Sequence, residues 1–291
     1  MTDWTELSAR ASLASHRLIG WIYWDPVAIE LYGALGVAGA MGYYVASRGA
    51  PLAPAGHQAV AAAFYSIHPG FIEVCIDTAA QSTTFDAIIE ARNDAVGRGL
   101  RRHVPEICDD LADLGDQLWE AADALASSGR VLFAAHRQAP RPADRLVSAW
   151  LAVNCIREFR GDTHFMLLGA ENLSGVQAGL LHDAFLNYPG EWIPRSRGAD
   201  EVAIAAALSD LEARGLATDG RVNDDGLELR ERLELRTNEL TQVAWRHLGE
   251  EATVRFVELV ELVEPLGQRL LERIDVTAGP DWMPAARARR V

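Results

Sequence analysis

The sequence predicts a mainly α-helical fold, in which a helical N-terminal domain precedes a C-terminal winged-helix-like domain with a small β-hairpin wing. Apolar residues recur at spacings of three and four along most of the chain, as on one face of a helix. After residue 200 the order changes to helix, turn, short strand, turn, short strand and long helix, which is typical of winged helix-turn-helix proteins. We therefore predict domains at 1–195 and 196–291.

Helix-start and helix-stop signals support the first half of this assignment. Asp25 is suited to cap the free N–H groups of a helix, and Pro26 fits its first position. A helix over 54–67 ends where His68 precedes Pro69, because the residue before proline disfavours the helical backbone. Apolar spacing predicts further amphipathic helices over 84–98 and 105–127. Glycine and proline between 128 and 145 predict a loop around a short ordered piece.

The segment 31–47 contains no charged residue, so it must be weighed as a membrane span. It is short for that purpose, and four glycines lower its hydrophobicity, so we predict a buried, closely packed helix and no membrane partner. The N-terminus lacks the basic and then apolar order of a signal peptide. Three widely separated cysteines do not form a disulfide pattern. Together these features predict a cytoplasmic protein.

The formal net charge of −14 disfavours partners that carry negative charge. Phosphate contacts supply most non-specific DNA affinity, so a DNA-binding protein needs a local basic surface. Residues 200–240 instead hold eleven acidic residues and five arginines, a net charge of −6. We therefore predict that a nucleic-acid partner is unfavourable. The winged-helix and C-terminal region would then serve a homodimer or a small protein partner.

The segment "CIREFRGDTH", residues 155–164, is the strongest candidate for a functional site. On an ideal helix Arg157, Arg160 and His164 share one face, whereas Asp162 lies on the opposite face near Glu158. Two arginines three residues apart suit a carboxylate, sulfate or phosphate group. The alternative is a buried ion-pair network that sets how helices cross. Either way, the apolar residues around the segment place these charges inside the protein.

A second candidate is His68, which lies at a helix junction between aromatic residues and could exchange protons near neutral pH. Its alternative role is to cap that junction. Tyr23, Trp24 and Phe64 could line an apolar pocket, although aromatic residues of this kind more often form core. No metal-ligand spacing, P-loop, dinucleotide-binding glycine motif or nucleophile elbow occurs. The sequence therefore predicts no cofactor and no metal.

Four stretches, in the order "FYSIHPGFI", "GRVLFAAHR", "IREFRGDTH" and "LEARGLATDGRV…LRERLELRTNEL", resemble an actinobacterial family with a helix-turn-helix domain. The resemblance covers nearly the whole chain and implies a helical N-terminal region before a winged helix similar to that of the MarR repressors. Relatives among antibiotic-biosynthesis genes imply work on small molecules. At one position the chain departs from the family pattern, with Phe159 where a histidine is expected. The motif positions carried over are Phe64, His68, Pro69, Arg157, Arg160, Gly161, Asp162 and His164.

Two functions are compatible with these features. The first is a cofactor-independent enzyme of antibiotic metabolism, of the lyase or cyclase type, in which Arg157 and Arg160 bind an anionic substrate. His68, Asp162 or His164 would then move a proton, with elimination or ring closure and loss of sulfate or phosphate. The alternative is a MarR-like ligand-responsive transcription regulator, or a non-catalytic binding protein. We place the enzyme first because of the acidic winged-helix region.

Overall fold

The computed structural model describes residues 2–37, 39–188 and 190–261, without the side chains at positions 24 and 40–42. The predicted contribution of the Trp24 side chain therefore lies outside the described residues. Three short 3-10 helices accompany the longer elements, at Trp21–Trp24, Ala53–Ala55 and Pro105–Ile107. The α-helices and strands are α1 (Trp4–Gly20), α2 (Pro26–Ala34), α3 (Ala40–Gly49), α4 (His57–Phe64), α5 (Pro69–Ser82), α6 (Phe85–His103), α7 (Cys108–Asp113), α8 (Gly115–Asp123), α9 (Val131–Gln138), α10 (Arg145–Ala170), α11 (Gly175–Leu186), α12 (Trp192–Ser196), α13 (Glu201–Ala213), β1 (Ala217–Thr218), β2 (Arg221–Val222), α14 (Asp224–Leu248) and α15 (Glu250–Glu261).

The predicted mainly α-helical class is confirmed, and the sheet of the described residues is one small antiparallel hairpin. Its register pairs Ala217 with Val222 and Thr218 with Arg221. This hairpin joins α13 to the long helix α14, so helix, hairpin and helix follow one another as the sequence predicts. No described helix is long and apolar enough to cross a membrane.

Local helix signals are also realised in the structure. The Asp25 side chain accepts hydrogen bonds from the backbone N–H groups of Val27 and Ala28, and Pro26 is the first residue of α2. Likewise, α5 begins at Pro69. Short capping interactions of this kind depend only on neighbouring residues, which is why the sequence predicts them well.

Two predicted helices are interrupted. The glycine-rich segment 31–47 divides into α2 and α3, because Gly36 and Gly39 adopt φ angles of 82° and 94°. At Gly36 an added Cβ would lie 2.9 Å from the Cβ of Ser82, so the chain bends where α5 approaches it. The predicted helix over 105–127 is likewise divided into a 3-10 turn, α7 and α8.

The centre of the fold is α10, which packs against α1, α7, α8, α9 and α14. Trp150 and most of the residues from Leu146 to Phe159 are buried there. A second apolar cluster joins the end of α10 to α11, α13, β1 and α14, with Leu168 and Leu211 among its members. Because α10 and α14 each contribute to the main core and to this second cluster, they connect the helical N-terminal half to the helix-hairpin-helix part.

Candidate functional site

The charged residues in the middle of α10 meet residues of α3. Glu158 is buried and binds Arg48 through two hydrogen bonds, with Nε–Oε1 and Nη2–Oε2 distances of 2.9 and 2.7 Å. Arg157 Nη1 donates to the same carboxylate at 2.7 Å. Burial raises the pKa of Glu158, but Arg48 and Arg157 outweigh it and hold the pKa well below its usual range. Glu158 is therefore an ionised partner shared by two arginines.

Aromatic side chains enclose this ion-pair group. Arg48 Nη1 donates to the Tyr44 hydroxyl at 2.9 Å, and the guanidinium carbon lies 4.6 Å from the centre of the buried Phe64 ring. Tyr23 packs edge to face against Tyr44, with ring centres 4.8 Å apart. Burial raises the pKa of Tyr23 to about 12, so its phenol stays neutral. The predicted pocket residues Phe64 and Tyr23 thus lie beside the charges of α10.

Arg157 also contacts α1. Its Nε donates to His16 Nδ1 at 3.3 Å. The His16 side chain is exposed to solvent, and the protein around it, followed by Arg157 and Arg160, lowers its pKa well below the usual value. We name the surface formed by His16, Tyr44, Arg157 and their neighbours the arginine recess.

Arg160 and His164 face α14. Arg160 Nη2 donates to Glu234 and, at 3.0 Å, to Asn238 Oδ1. Glu234 also pairs with Arg230 at 3.0 Å. His164 Nδ1 lies 2.9 Å from the Thr237 hydroxyl, and burial together with Arg230 lowers its pKa to about 4. The predicted arginine face therefore meets both α1 and α14.

Asp162 is separate from these groups, as the helical geometry predicts. Its buried carboxylate accepts a hydrogen bond from the backbone N–H of Phe133 at 2.9 Å, at the first turn of α9. Burial raises its pKa to about 7, although this backbone hydrogen bond acts in the opposite direction. The structure therefore uses Asp162 to anchor α9, in a segment that the sequence predicts only as a loop around a short ordered piece.

His68 is exposed at the junction of α4 and α5. Its Nδ1 accepts a hydrogen bond from the backbone N–H of Gly70 at 3.2 Å, so the imidazole caps α5. The His68 backbone N–H donates to the carbonyl oxygen of Arg197 at 2.9 Å. These contacts match the capping role that the sequence leaves open for His68.

Arg197, which directly follows α12, is a residue that sequence reasoning missed, because no motif surrounds it. Its Nη1 donates to the Ser66 hydroxyl at 2.7 Å, and no carboxylate pairs with it among the described residues. Burial lowers its pKa. Burial also acts to raise the pKa of Tyr44, but Arg48, Arg157 and Arg197 lower it below its usual value. Arg197 therefore adds unpaired positive charge next to Tyr44.

The charges around the arginine recess do not balance. Two carboxylates, Glu158 and Glu234, pair with arginines there. The arginines number five, which leaves an excess of three positive charges within this set: Arg48, Arg157, Arg160, Arg197 and Arg230. In a protein with a net charge of −14, such a concentration of positive charge favours a small anion at this place.

A different group has the spacing of metal ligands. In the described part of the chain, atoms of His57, Glu73 and Asp77 lie within 4.8 Å of one another. His57 Nδ1 is 3.2 Å from Asp77 Oδ1, and both carboxylates are exposed. Surface pairs of this type form without a metal, so the group does not define a metal site.

The fold defines a class of protein in which a helical body is connected to a helix-hairpin-helix element. Comparison with known sequences agrees with the second part. Residues 8–277 match the Helix-turn-helix family, and the chain belongs to that family. No curated protein and no solved structure matches the chain.

This family membership corrects the first of the two predicted functions. A helix-turn-helix family points to a DNA-binding regulator, so the prediction of a cofactor-independent enzyme of the lyase or cyclase type is wrong. That prediction followed from the negative charge of residues 200–240 and from the resemblance to proteins near antibiotic-biosynthesis genes. The alternative, a ligand-responsive regulator, agrees better with the family.

Proposed function

We propose that this protein is a ligand-responsive transcription regulator whose residues 175–248 form a winged helix-turn-helix similar to that of the MarR repressors. In this assignment α13 is the recognition helix and the hairpin β1–β2 is the wing. The observation that carries the proposal is the match of residues 8–277 to the Helix-turn-helix family. The order of helix, hairpin and long helix after residue 200 supports it. Such a regulator works in the cytoplasm.

The arginine recess is the proposed sensor for a small anionic molecule. Arg197 has a hydroxyl partner rather than a carboxylate, so its charge is free to pair with a bound anion. From this recess the pair of Arg160 with Glu234 leads to α14, the helix that follows the wing. A ligand that draws Arg160 toward itself would alter the contact between α10 and α14. It would thereby shift the position of the wing.

DNA selection tests the regulator. The purified full-length protein is incubated with random-sequence duplex DNA at low salt, and enriched sequences are measured by gel shift. We expect one enriched motif, and we expect Ala206→Glu on the exposed side of α13 to weaken binding at least tenfold. Ala62→Glu, at an exposed position of α4, is the matched control and leaves binding unchanged. Failure to enrich any motif contradicts the proposal.

Ligand response is tested separately. Carboxylate, sulfate and phosphate compounds are screened by thermal shift, and the best one is added to the gel shift. We expect it to change DNA affinity, and we expect Arg197→Met to remove the effect while leaving DNA binding without ligand intact. If Arg197→Met and the unaltered protein respond equally, the recess is not the sensor.

A regulator that acts through a protein partner is the second candidate, and the surface of α13 favours it. Val202 is 77% exposed, and Ala205 and Ala206 beside it are exposed as well. Asp210 and Glu212 add negative charge to the same helix. Such a surface also suits a second copy of this chain or a small protein. Analytical ultracentrifugation of the full chain, with Val202→Asp as the test variant, distinguishes a homodimer from a monomer.

A further inference from the structure

Arg92 on α6 is buried in the apolar core without a carboxylate partner. Its side chain is 1% exposed, and its guanidinium lies 5.9 Å from the centre of the Trp150 ring. Nε and Nη2 both donate to Asn93 Oδ1, at 3.3 and 3.2 Å, whereas Nη1 has no partner. No carboxylate forms a salt bridge with Arg92 within the ranges that the structure describes. A buried charge in this state is costly unless an opposite charge accompanies it.

Two hydroxyl groups near Arg92 are also unsatisfied. Tyr32 on α2 and Ser47 on α3 are fully buried, and neither hydroxyl makes a hydrogen bond of good geometry within the described residues. Burial raises the pKa of Tyr32, while the Ser47 hydroxyl, near enough to hydrogen-bond with the phenol, and then the charge of Arg92 act to lower it. The helices α2, α3 and α6, which carry these side chains, pack against one another. Three elements of the core thus bring unpaired polar atoms to one place.

The chemistry of these groups indicates what they bind. Arginine N–H is only a donor, and neutral tyrosine and serine hydroxyls can each donate one hydrogen bond. Because hydroxyl hydrogens rotate, both hydroxyls and Arg92 Nη1 can donate to one acceptor, and the positive charge of Arg92 favours an acceptor that is negatively charged. We propose that Arg92, Tyr32 and Ser47 bind a small monovalent anion, a halide or a short carboxylate, in a closed site between α2, α3 and α6.

The residues around this site limit the size of the anion. Tyr32 and Ser47 are fully buried and Arg92 nearly so, and Trp150 is also buried, so the site has no wide opening to solvent. A sulfate or phosphate brings two charges and a larger volume, and Arg92 alone cannot neutralise it. This site differs from the arginine recess in its access to solvent and in its number of positive charges. The inference is therefore independent of the proposed regulator function.

Crystals grown or soaked in sodium bromide provide the direct test. Bromide replaces chloride in halide sites and is located by its anomalous scattering. We expect a bromide peak in contact with Arg92 Nη1 and the two hydroxyl groups. A second crystal soaked in formate at the same concentration shows whether the site binds a short carboxylate as well as a halide. Bound formate gives planar density without an anomalous signal. Ordinary water density in both crystals overturns the proposal, since water would then satisfy the three donors.

Thermal unfolding of the full-length protein in solution supplies the second test. Chloride, bromide and formate are compared with gluconate, which is too large to enter, at equal ionic strength. We expect the Tm to rise by about 3 °C when the concentration of the anion increases from one tenth of its dissociation constant to ten times that constant. Arg92→Met abolishes the rise, whereas Arg98→Met, an exposed position on the same helix, keeps it.

The two experiments test the proposed anion site even if Arg92→Met fails to fold. In that case the unaltered protein still answers the question, because its Tm in chloride and in gluconate are compared directly. Equal Tm values in all four salts, with no bromide peak, contradict an anion site. A rise that is the same in Arg92→Met and in the unaltered protein places the anion elsewhere and also overturns the proposal.

Discussion

At the scale of single residues, Glu158 determines whether the charges of α10 are compensated. Its carboxylate accepts hydrogen bonds from both Arg48 and Arg157, and all three side chains are largely removed from solvent. The sequence predicts that these charges lie inside the protein, but it does not identify Arg48, because 110 residues separate Arg48 from Glu158. Only the packing of α3 on α10 brings the pair together.

Glu158→Gln tests this arrangement. The substitution leaves two buried guanidinium groups without a counter-charge, so we expect the free energy of unfolding to fall by about 3–5 kcal/mol. Urea denaturation measures the change. Glu228→Gln, which removes an exposed carboxylate 4.0 Å from Arg232 on α14, is the matched control and should cost less than about 1 kcal/mol. Equal losses in the two variants would contradict the role of Glu158.

Asp162 makes the stability of the protein depend on pH. Its folded-state pKa is about 7, raised from the ordinary 3.8, so the folded protein holds this proton more tightly than the unfolded chain does. Its contribution to the free energy of unfolding is therefore fully present below pH 4 and is lost as the pH rises to 7, by on the order of 4 kcal/mol.

We expect Asp162→Asn to remove this dependence, because a neutral amide oxygen still accepts the hydrogen bond from Phe133. Urea denaturation at pH 4, 5.5 and 7 measures the free energy of unfolding for both proteins. Relative to the unaltered protein, the variant should gain stability as the pH rises. Parallel pH curves for the two proteins would show that Asp162 does not titrate in this range.

At the scale of elements, close backbone contacts fix the helix-hairpin-helix part. Gly226, in the first turn of α14, lies against the hairpin and the turn before it. An added Cβ there would be 2.4 Å from the carbonyl oxygen of Leu216 and 2.7 Å from Val222 Cγ1. The sequence predicts the elements but not this approach, because glycine in a helix has no local pattern that reveals a close neighbour.

Gly226→Ala should therefore push the hairpin away from α14. We expect a loss of about 1–3 kcal/mol in the free energy of unfolding, together with weaker DNA binding if the hairpin is the wing. Gly33→Ala is the control, since it also adds a methyl group to a helix but has no neighbour within 4 Å of the new Cβ. It should be neutral or stabilise the protein by up to about 1 kcal/mol. A loss in Gly33→Ala as large as that in Gly226→Ala would refute the contact.

Other elements show that local sequence signals do not predict every helix and helix boundary. The start of α2 at Pro26 follows from its own sequence. By contrast, α9 is anchored by Asp162, which lies 29 residues further along the chain. The helix predicted over 105–127 divides at Leu114, and Gly115 of α8 approaches Ala149 of α10. Interactions between distant segments decide both outcomes.

At the scale of the whole molecule, the charge distribution determines what kind of DNA contact is open to the proposed regulator. From residue 200 to residue 223, the described surface of α13 and the hairpin carries two arginines, Arg214 and Arg221, and five acidic residues. Few phosphates can be neutralised by such a surface. The proposed regulator would therefore depend more on base contacts and shape than on phosphate contacts.

The salt dependence of DNA binding measures this property. We expect log K to fall with log salt concentration with a slope of about −2 for each helix-turn-helix module, since the slope is near −0.9 for each phosphate contacted. Gel shifts or fluorescence anisotropy between 50 and 200 mM salt provide the slope. Arg221→Ala should reduce it by about one, and a slope steeper than −5 would mean that further basic residues contact the DNA.

The sequence by itself determined the properties that depend on neighbours and on composition. These are the helical class, the hairpin between two helices, the cap at Asp25, the helix boundary at Pro69, and the interior position of the charges in α10. Periodicity and capping act over a few residues, so they can be read from a linear pattern. The acidic character of residues 200–240 is also a property of composition alone, and it led to the wrong choice between enzyme and regulator.

The tertiary structure alone decided which charges meet. No sequence motif surrounds Arg48, Arg92 or Arg197. The role of each arginine depends on the side chains of other segments that lie near it. Burial is the basis of the proposed anion sites, because desolvation makes an arginine without a carboxylate costly. That cost depends on the complete three-dimensional packing, and therefore no linear pattern contains it.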